Sequence, residues 1–321
     1  MHPKIRVAVV GAGDFGRNHV RVVKQSPRAE LAAVVDSNAV RASEIAAANG
    51  CVPLTDVHEL AGKADAAIVA VPTSSHADVG CAVLESGIDV LVEKPIAPDL
   101  ASAERLIQAA DAHNRILQVG HLERFNPAVV ALEQAARLPL FFEIHRMSVF
   151  SPRSLDVDVV LDLMIHDIDI LLSLVNREIE EIRAAGISIL TQKVDIANVR
   201  LQFQGGCVAN LTASRVSTDR VRKLRLFQPS QYISVDYSRQ DAAIFRVGAD
   251  RQISFEQLPV TKGEPLALQF EAFLDSVETR QTPKLNGRAG RLSLVAALAI
   301  LAKIEEHSRV VAQSLVSPWK P

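Results

Sequence analysis

Along the first third of the chain, short apolar runs alternate with stretches whose apolar residues recur at helical spacing. The runs are KIRVAVV, ending at Val10, ELAAVVD, ending at Asp36, DAAIVAV over 65–71, DVLVEK over 89–94 and ILQVG over 116–120. Unbroken apolar runs of this length, closed by glycine or a polar residue, mark strands buried on both faces. Strands that alternate with helices predict a parallel, doubly wound α/β sheet, assigned to residues 1–120.

After Gly120 the period changes. HLERFNPAVVALEQAA predicts a helix, and LFFEIHRMSVF, EIRAAGISIL, IANVRLQF, CVANLTASR, KLRLFQ, QYISVDY and QISFEQL predict strands with short connections. Such a succession predicts a large, open, mostly antiparallel sheet with helices on one face. Two helices, LALQFEAFLDSVETR and LNGRAGRLSLVAALAILAKIEEHSR, close the chain. Residues 121–321 are thus expected to form an α+β domain that binds substrate. Its sheet leaves a flat face, so a homo-oligomer, dimer or tetramer, is expected through it.

One helix breaks the apolar pattern from within. VVLDLMIHDIDILLSLV, Val159–Val175, carries Asp162, His166, Asp169 and Ser173 at i, i+4, i+7 and i+11, which places them on one helical face. Buried charges need partners, so the stripe is either the wall of a polar cleft or a solvated surface. Asp167 lies off it and receives no catalytic role; Asp169 is read as support for the helix. From this helix alone, a core histidine satisfied by Asp162 is the simpler reading.

Composition narrows the partners. The 321 residues suggest two domains, and 48% hydrophobic with 22% charged residues describes an ordinary globular protein. A net charge of -2 gives no general reason to expect nucleic acid or an anionic membrane. Cys51, Cys81 and Cys207 lie too far apart in sequence for a paired metal or redox motif. No apolar run reaches the roughly 18 residues of a membrane span, and the N-terminus enters a strand directly, so the expected location is the cytoplasm.

The first strand runs into Gly11-Ala12-Gly13-Asp14-Phe15-Gly16 and then a helix. In that setting Gly11 allows a tight turn, Gly13 lets backbone approach a pyrophosphate at the helix N-terminus, and Gly16 lets helix pack on strand. Asp36 ends the second strand twenty residues after Gly16, where a carboxylate takes both hydroxyls of an adenosine ribose and disfavours a 2'-phosphate; NAD is therefore the expected cofactor. Ligands of such sheets lie at the carboxyl ends of the strands. There the chain carries Pro72, Thr73, His76, Glu93, Lys94 and Pro95, candidates to touch the nicotinamide half, as Asp14 and Phe15 are for the glycine loop.

Taken together, GAGDFGRNH, VPTSSHADVGCAVLESGIDVLVEKPIA, DLMIHDID and the closing EPLALQFEAFLDSV resemble the glucose-fructose oxidoreductase, inositol dehydrogenase and MocA family of nicotinamide-dependent sugar oxidoreductases. The likeness spans nearly the whole chain. It implies a Rossmann domain followed by an open-sheet domain, with Lys94, Asp162 and His166 as catalytic residues. On that reading His166 takes the hydroxyl proton while hydride leaves carbon for nicotinamide, Asp162 orients the ring, and Lys94 stabilises the developing alkoxide. Nicotinamide chemistry needs no metal, and none is expected.

Within the family, GHLERFNPAV and SPRSLDVDVVLDLMIHDIDI look most like nucleotide-sugar 3-dehydrogenases. This implies oxidation of the C3 hydroxyl of UDP-N-acetylglucosamine, in the making of amino-sugar-containing lipid A, with an aminotransferase to consume the ketone. Arg124, Asn126 and Arg153 are candidates to hold the diphosphate or sugar hydroxyls together with Lys94 and His166, though a structural salt bridge or turn suits each equally well. Arg220, Arg222 and Arg225 are read as a solvated basic edge strand. The alternatives are a dehydrogenase or reductase of a free sugar or inositol, and a dinucleotide-binding sensor without chemistry.

Overall fold

The computed structural model describes residues 3–150 and 157–316, excepting the side chains of 314–316. The chain divides into two compact units, 1–122 with 264–294, and 123–263 with 295–321.

In the first unit six strands, β1 (Ile5–Val10), β2 (Ala29–Val35), β3 (Val52–Leu54), β4 (Ala66–Val69), β5 (Asp89–Glu93) and β6 (Leu117–Gly120), form one parallel sheet in the order β3-β2-β1-β4-β5-β6. Helices α1 (Asp14–Gln25), α2 (Ala39–Asn49), α3 (His76–Glu85) and α4 (Leu100–Ala112) connect them. The order reverses between β1 and β4, which puts the glycine loop after β1 beside the loop after β4. This is the crevice in which doubly wound sheets bind ligands.

Gly13, extended at the N-cap of α1, supplies no side-chain cap, so the first amides keep their donors for another acceptor. Asp14 in the first turn and Lys24 in the last complement the helix dipole. Gly11 holds φ at +90°, and a Cβ there would come within 2.7 Å of the Ala70 backbone. A Cβ on Gly16 would meet the Gly11 carbonyl oxygen at 1.8 Å.

The second unit contains α5 (Pro127–Ala135), β7 (Phe141–Met147), α6 (Ile165–Val175), β8 (Ile179–Ile187), β9 (Ile196–Phe203), β10 (Val208–Ser214), β11 (Val221–Gln228), β12 (Gln231–Asp236), β13 (Asp241–Val247) and β14 (Ile253–Gln257). The eight strands order as β14-β13-β12-β11-β7-β10-β9-β8, antiparallel except for β7 with β10. The alternating burial of β9 shows the logic: Ala197, Val199, Leu201 and Phe203 enter the core, and the residues between them do not.

Three expectations are corrected. β13, DAAIFRV, does not stand among the strands expected from sequence, because its mix of small and polar residues masks the period. β11 is an inner strand between β12 and β7, so Arg222 is not on an edge. The helix α7 (Pro265–Thr279), expected in the second domain, packs with the first unit: Leu266, Phe270, Phe273 and Leu274, at i, i+4, i+7 and i+8, join the core of Val7, Val9, Val22 and Val34. Each of those phenylalanines is fully buried, worth about 1.5–3 kcal/mol apiece. The last helix, α8 (Gly287–Val316), contributes residues to both units.

Gly16→Ala should destabilise the protein by at least about 1–3 kcal/mol, since neither backbone segment at the loop can yield cheaply. Thermal unfolding with and without NAD checks this: the expected result is a lowered melting temperature and loss of the NAD-induced rise. Wild-type melting with an intact NAD shift would contradict the packing role given to Gly16.

Candidate active site

The glycine loop is shaped from below by Asp36. Its carboxylate is buried, accepts the Ala12 N–H at 2.8 Å and the Asn38 N–H at 2.9 Å, and pairs with Arg41 at 3.3 Å. Asp36 therefore ties the first two strand ends together as well as presenting a negative charge there. Ahead of α1, a Cβ on Gly13 would meet nothing within 4 Å. Open space, uncapped amides and a carboxylate at the second strand end fit a dinucleotide. Asp14 and Phe15 are exposed at this loop.

Lys94 sits half-buried at the end of β5, followed by a cis peptide to Pro95. Its neighbours are fixed by buried polar groups. Glu93 is 2.8 Å from His19 Nε2 of α1 and accepts the Lys94 N–H at 3.3 Å, while packing against Gly120, where a Cβ would come within 2.8 Å of the carboxylate. Buried His76 places its ring nitrogens 2.9 Å from the Pro95 carbonyl and 3.0 Å from that of Val71, cross-bracing the two loops. Burial pushes its pKa down. Glu93 and His76, expected to touch the cofactor, thus have side chains committed to holding loops, while Thr73 is half-buried and Pro72 exposed beside them. The role of His19 was not read from sequence; its position on α1, three residues after Gly16, was the available signal.

In the second unit a turn of π-helix, Val160–Met164, leads into α6, with the Ile165 N–H bonding to the Val160 carbonyl. This wide turn takes in Asp162, the first residue of the expected stripe, and His166 and Asp169 follow on α6. Asp162 is half-buried, His166 is 8% exposed, and Asp169 turns to Arg124 at 3.3 Å. Ser173 bonds back to the Ile170 carbonyl. π-turns concentrate at functional sites, where they aim side chains that a regular helix would not.

That turn is anchored upstream. Asp195 accepts the N–H groups of Ile189, Leu190 and Thr191 at 2.6–2.9 Å. Burial opposes its charge, but these donors hold its pKa at about 2. Val194, beside it, donates to Asp158 at 2.9 Å and accepts from the Val159 N–H at 2.9 Å, so the loop grips the chain just before the π-turn. Arg215 adds a contact to the Val157 carbonyl.

Asp167, the acid off the stripe, belongs to a buried ionic network. Arg146 of β7, 2% exposed, binds it in a fork at 2.7 and 2.8 Å and binds Glu123 at 2.9 Å, with its guanidinium carbon 5.2 Å from the centre of the Tyr237 ring. Burial works against the charge, but Asp167 and Glu123 raise the Arg146 pKa above its ordinary value. Arg222 reaches the same Glu123 oxygen at 3.3 Å. Asn126 caps α5 and donates to Glu123 at 3.2 Å and to the Tyr237 carbonyl at 3.1 Å, and Arg124 pairs with Glu133 at 2.8 Å as well as with Asp169. Of the three polar residues proposed to hold the substrate, Arg124 and Asn126 therefore carry structural partners, and Arg153 lies outside the described residues. Among the described residues, no three His, Cys, Asp or Glu side chains gather to hold a metal ion.

Two family models match this architecture. Residues 5–121 match the oxidoreductase family with an NAD-binding Rossmann fold, and residues 142–228 match the GFO/IDH/MocA C-terminal domain. The chain belongs to the GFO/IDH/MocA oxidoreductase family. Among family relatives, the UDP-N-acetylglucosamine 3-dehydrogenase of Acidithiobacillus ferrooxidans is 36% identical over 94% of this chain and 97% of its own. Its solved structure superposes with a TM-score of 0.89, covering 95% of this chain and 99% of that one. An inositol 2-dehydrogenase of Arthrobacter is 33% identical, over 57% of this chain and 58% of its own. The GFO/IDH/MocA fold thus accounts for the Rossmann sheet, the open second sheet and the NAD cofactor.

Two outcomes follow from the geometry. Asp36→Ser should shift the ratio of kcat/KM for NAD over NADP toward NADP by roughly ten- to a hundredfold, because it removes like-charge repulsion and frees Arg41 for a 2'-phosphate; steady-state rates with each cofactor measure it, and an unchanged ratio would show that Asp36 only shapes the loop. Arg146→Ala should cost about 3–5 kcal/mol in chemical denaturation, since it strands Asp167. A loss below about 1 kcal/mol would mean that the network does not hold the unit together.

Proposed function

We propose that this chain oxidises the C3 hydroxyl of UDP-N-acetylglucosamine to the 3-keto sugar, with NAD as acceptor. The observation that carries the reading is the 36% identity over 94% of this chain to the 3-dehydrogenase of Acidithiobacillus ferrooxidans, against 24% over 97% to a myo-inositol 2-dehydrogenase of Thermotoga maritima.

The residues would act as follows. The uncapped N-terminus of α1, with Gly11, Gly13 and Gly16, would bind the pyrophosphate of NAD, and Asp36 the adenosine ribose. The bound nicotinamide supplies the hydride acceptor. His166 takes the proton of the C3 hydroxyl as that carbon's hydrogen departs with both bonding electrons, which leaves a carbonyl. Asp162 orients the imidazole and stabilises its cation, and Lys94 stabilises negative charge developing on the oxygen. Glu93 and His19 hold the Lys94 backbone, while the π-turn fixes where Asp162 stands.

The 3-keto product is reactive, and an aminotransferase that converts it to a 3-amino sugar for lipid A fits as the following enzyme. A homo-oligomer is supported by the uncovered face of the second sheet, where Phe141, Phe227, Tyr232, Phe245 and Phe255 line up in register across five strands with adjacent ring centres 4.4–5.7 Å apart. No helix among the described residues is long and apolar enough to cross a membrane; a cytoplasmic location fits the substrate and cofactor.

The test supplies UDP-N-acetylglucosamine, free N-acetylglucosamine, glucose and myo-inositol with NAD, reads NADH by absorbance, and detects loss of two hydrogens from the sugar by mass spectrometry. The nucleotide sugar should turn over fastest, because binding energy from the uridine diphosphate positions the reacting carbon. His166→Ala and Lys94→Ala should each lower kcat roughly a hundredfold or more with NAD affinity retained. Faster turnover of a free sugar or inositol would sink the substrate assignment, and an unaltered rate in His166→Ala would remove it as the base.

A further inference from the structure

We propose that Arg222 binds the pyrophosphate of the sugar nucleotide, an assignment that rests on the nucleotide-sugar reading above and names the group that reads the substrate's phosphate. On β11, Leu224, Leu226 and Gln228 alternate into the buried, helix-covered side of the sheet, and Arg222 continues that face at the strand's start. There it stands in register opposite Arg146 of β7.

The two arginines are placed alike and satisfied unequally. Arg146 is fully engaged by Asp167 and Glu123. Arg222 has one longer contact, Nη1 to Glu123 Oε1 at 3.3 Å, and that oxygen already accepts from Arg146 at 2.9 Å. Its Nε and Nη2 donors face no acceptor among the described residues. The side chain is 36% exposed, so the free edge of the fork opens to solvent instead of closing inside the core. Burial first and the adjacent Arg146 next push its pKa down, and Glu123 only partly opposes them. An anion with paired oxygens completes such a fork, and a pyrophosphate offers them.

The position suits the chemistry. Arg146 links Glu123, and through it Arg222, to Asp167, the residue after His166. The phosphate on C1 stands two ring carbons from C3, so an arginine joined through this network to the residue after His166, and not to His166 itself, can hold the handle while His166 meets the reacting carbon. Removing Arg222 leaves Glu123 paired to Arg146, so the fold has no need of it.

The experiment uses the full chain with saturating NAD. Arg222→Gln should raise the KM for UDP-N-acetylglucosamine and the inhibition constant of UDP at least tenfold. Arg222→Lys, which keeps charge without the fork, should fall between. Melting temperature and NAD affinity should match wild type in both. Wild-type turnover of UDP-N-acetylglucosamine with UDP inhibition within twofold of wild type in Arg222→Gln, or in Arg222→Lys if the Gln variant does not fold, overturns the assignment alone. A wild-type enzyme that neither oxidises a nucleotide sugar nor is inhibited by UDP overturns it together with the reading on which it rests.

Discussion

The second unit depends on the pairing of Arg146 with Asp167. A guanidinium and a carboxylate buried to this degree cost several kcal/mol each to desolvate, and only a forked geometry with further partners offsets it. Asp167 supplies the fork and Glu123 the remaining acceptor, so one cation on β7 fastens both α6 and the segment ahead of α5 to the sheet. Because Asp167 follows His166 directly, the same bond fixes the rotation of the helix that presents the imidazole. An apolar pair would hold the helix as firmly but would leave it free to slide or turn, whereas the fork has one register.

In the first unit the constraint is close approach of backbone to backbone. Gly16 against the Gly11 carbonyl, and Gly11 against Ala70, leave no volume for a side chain. What the glycines leave open, buried polar groups then brace: Asp36 ties the loop to the second strand, Glu93 with His19 ties α1 to the E-K-P loop, and His76 ties that loop to the one after β4. Each of these braces fixes a main-chain segment at the carboxyl ends of the parallel strands.

Much of this was legible in the chain, for identifiable reasons. Continuous apolar runs locate β1, β2, β4, β5 and β6, and strict alternation locates β9, because burial on two faces or one writes a distinct period. The glycine loop and Asp36 were legible because their spacing is dictated by the cofactor they fit. Residues whose role depends on contacts distant in sequence were not. Arg124 and Asn126 read equally as substrate ligands or as structural pairs, and the sequence alone does not name Asp169, Glu133 and Tyr237 as their partners. Arg222 read as a surface charge because the place of β11 in the sheet is set by pairing with β7, which lies about 80 residues earlier.

The polar stripe of α6 shows how one helix can carry acids with opposite tasks. Asp162, His166 and Asp169 follow at i, i+4 and i+7, the spacing that brings side chains to one side of a helix. The π-turn stands just before His166 and opens α6. Downstream, Asp167 and Asp169 are drawn to Arg146 and Arg124 and take their charge into salt bridges. Upstream, Asp162 stands half-buried in a turn gripped by the Asp195 loop. The acids of one helix thus divide between two salt bridges, which fasten α6 to β7 and to the segment ahead of α5, and a half-buried carboxylate in the turn before His166.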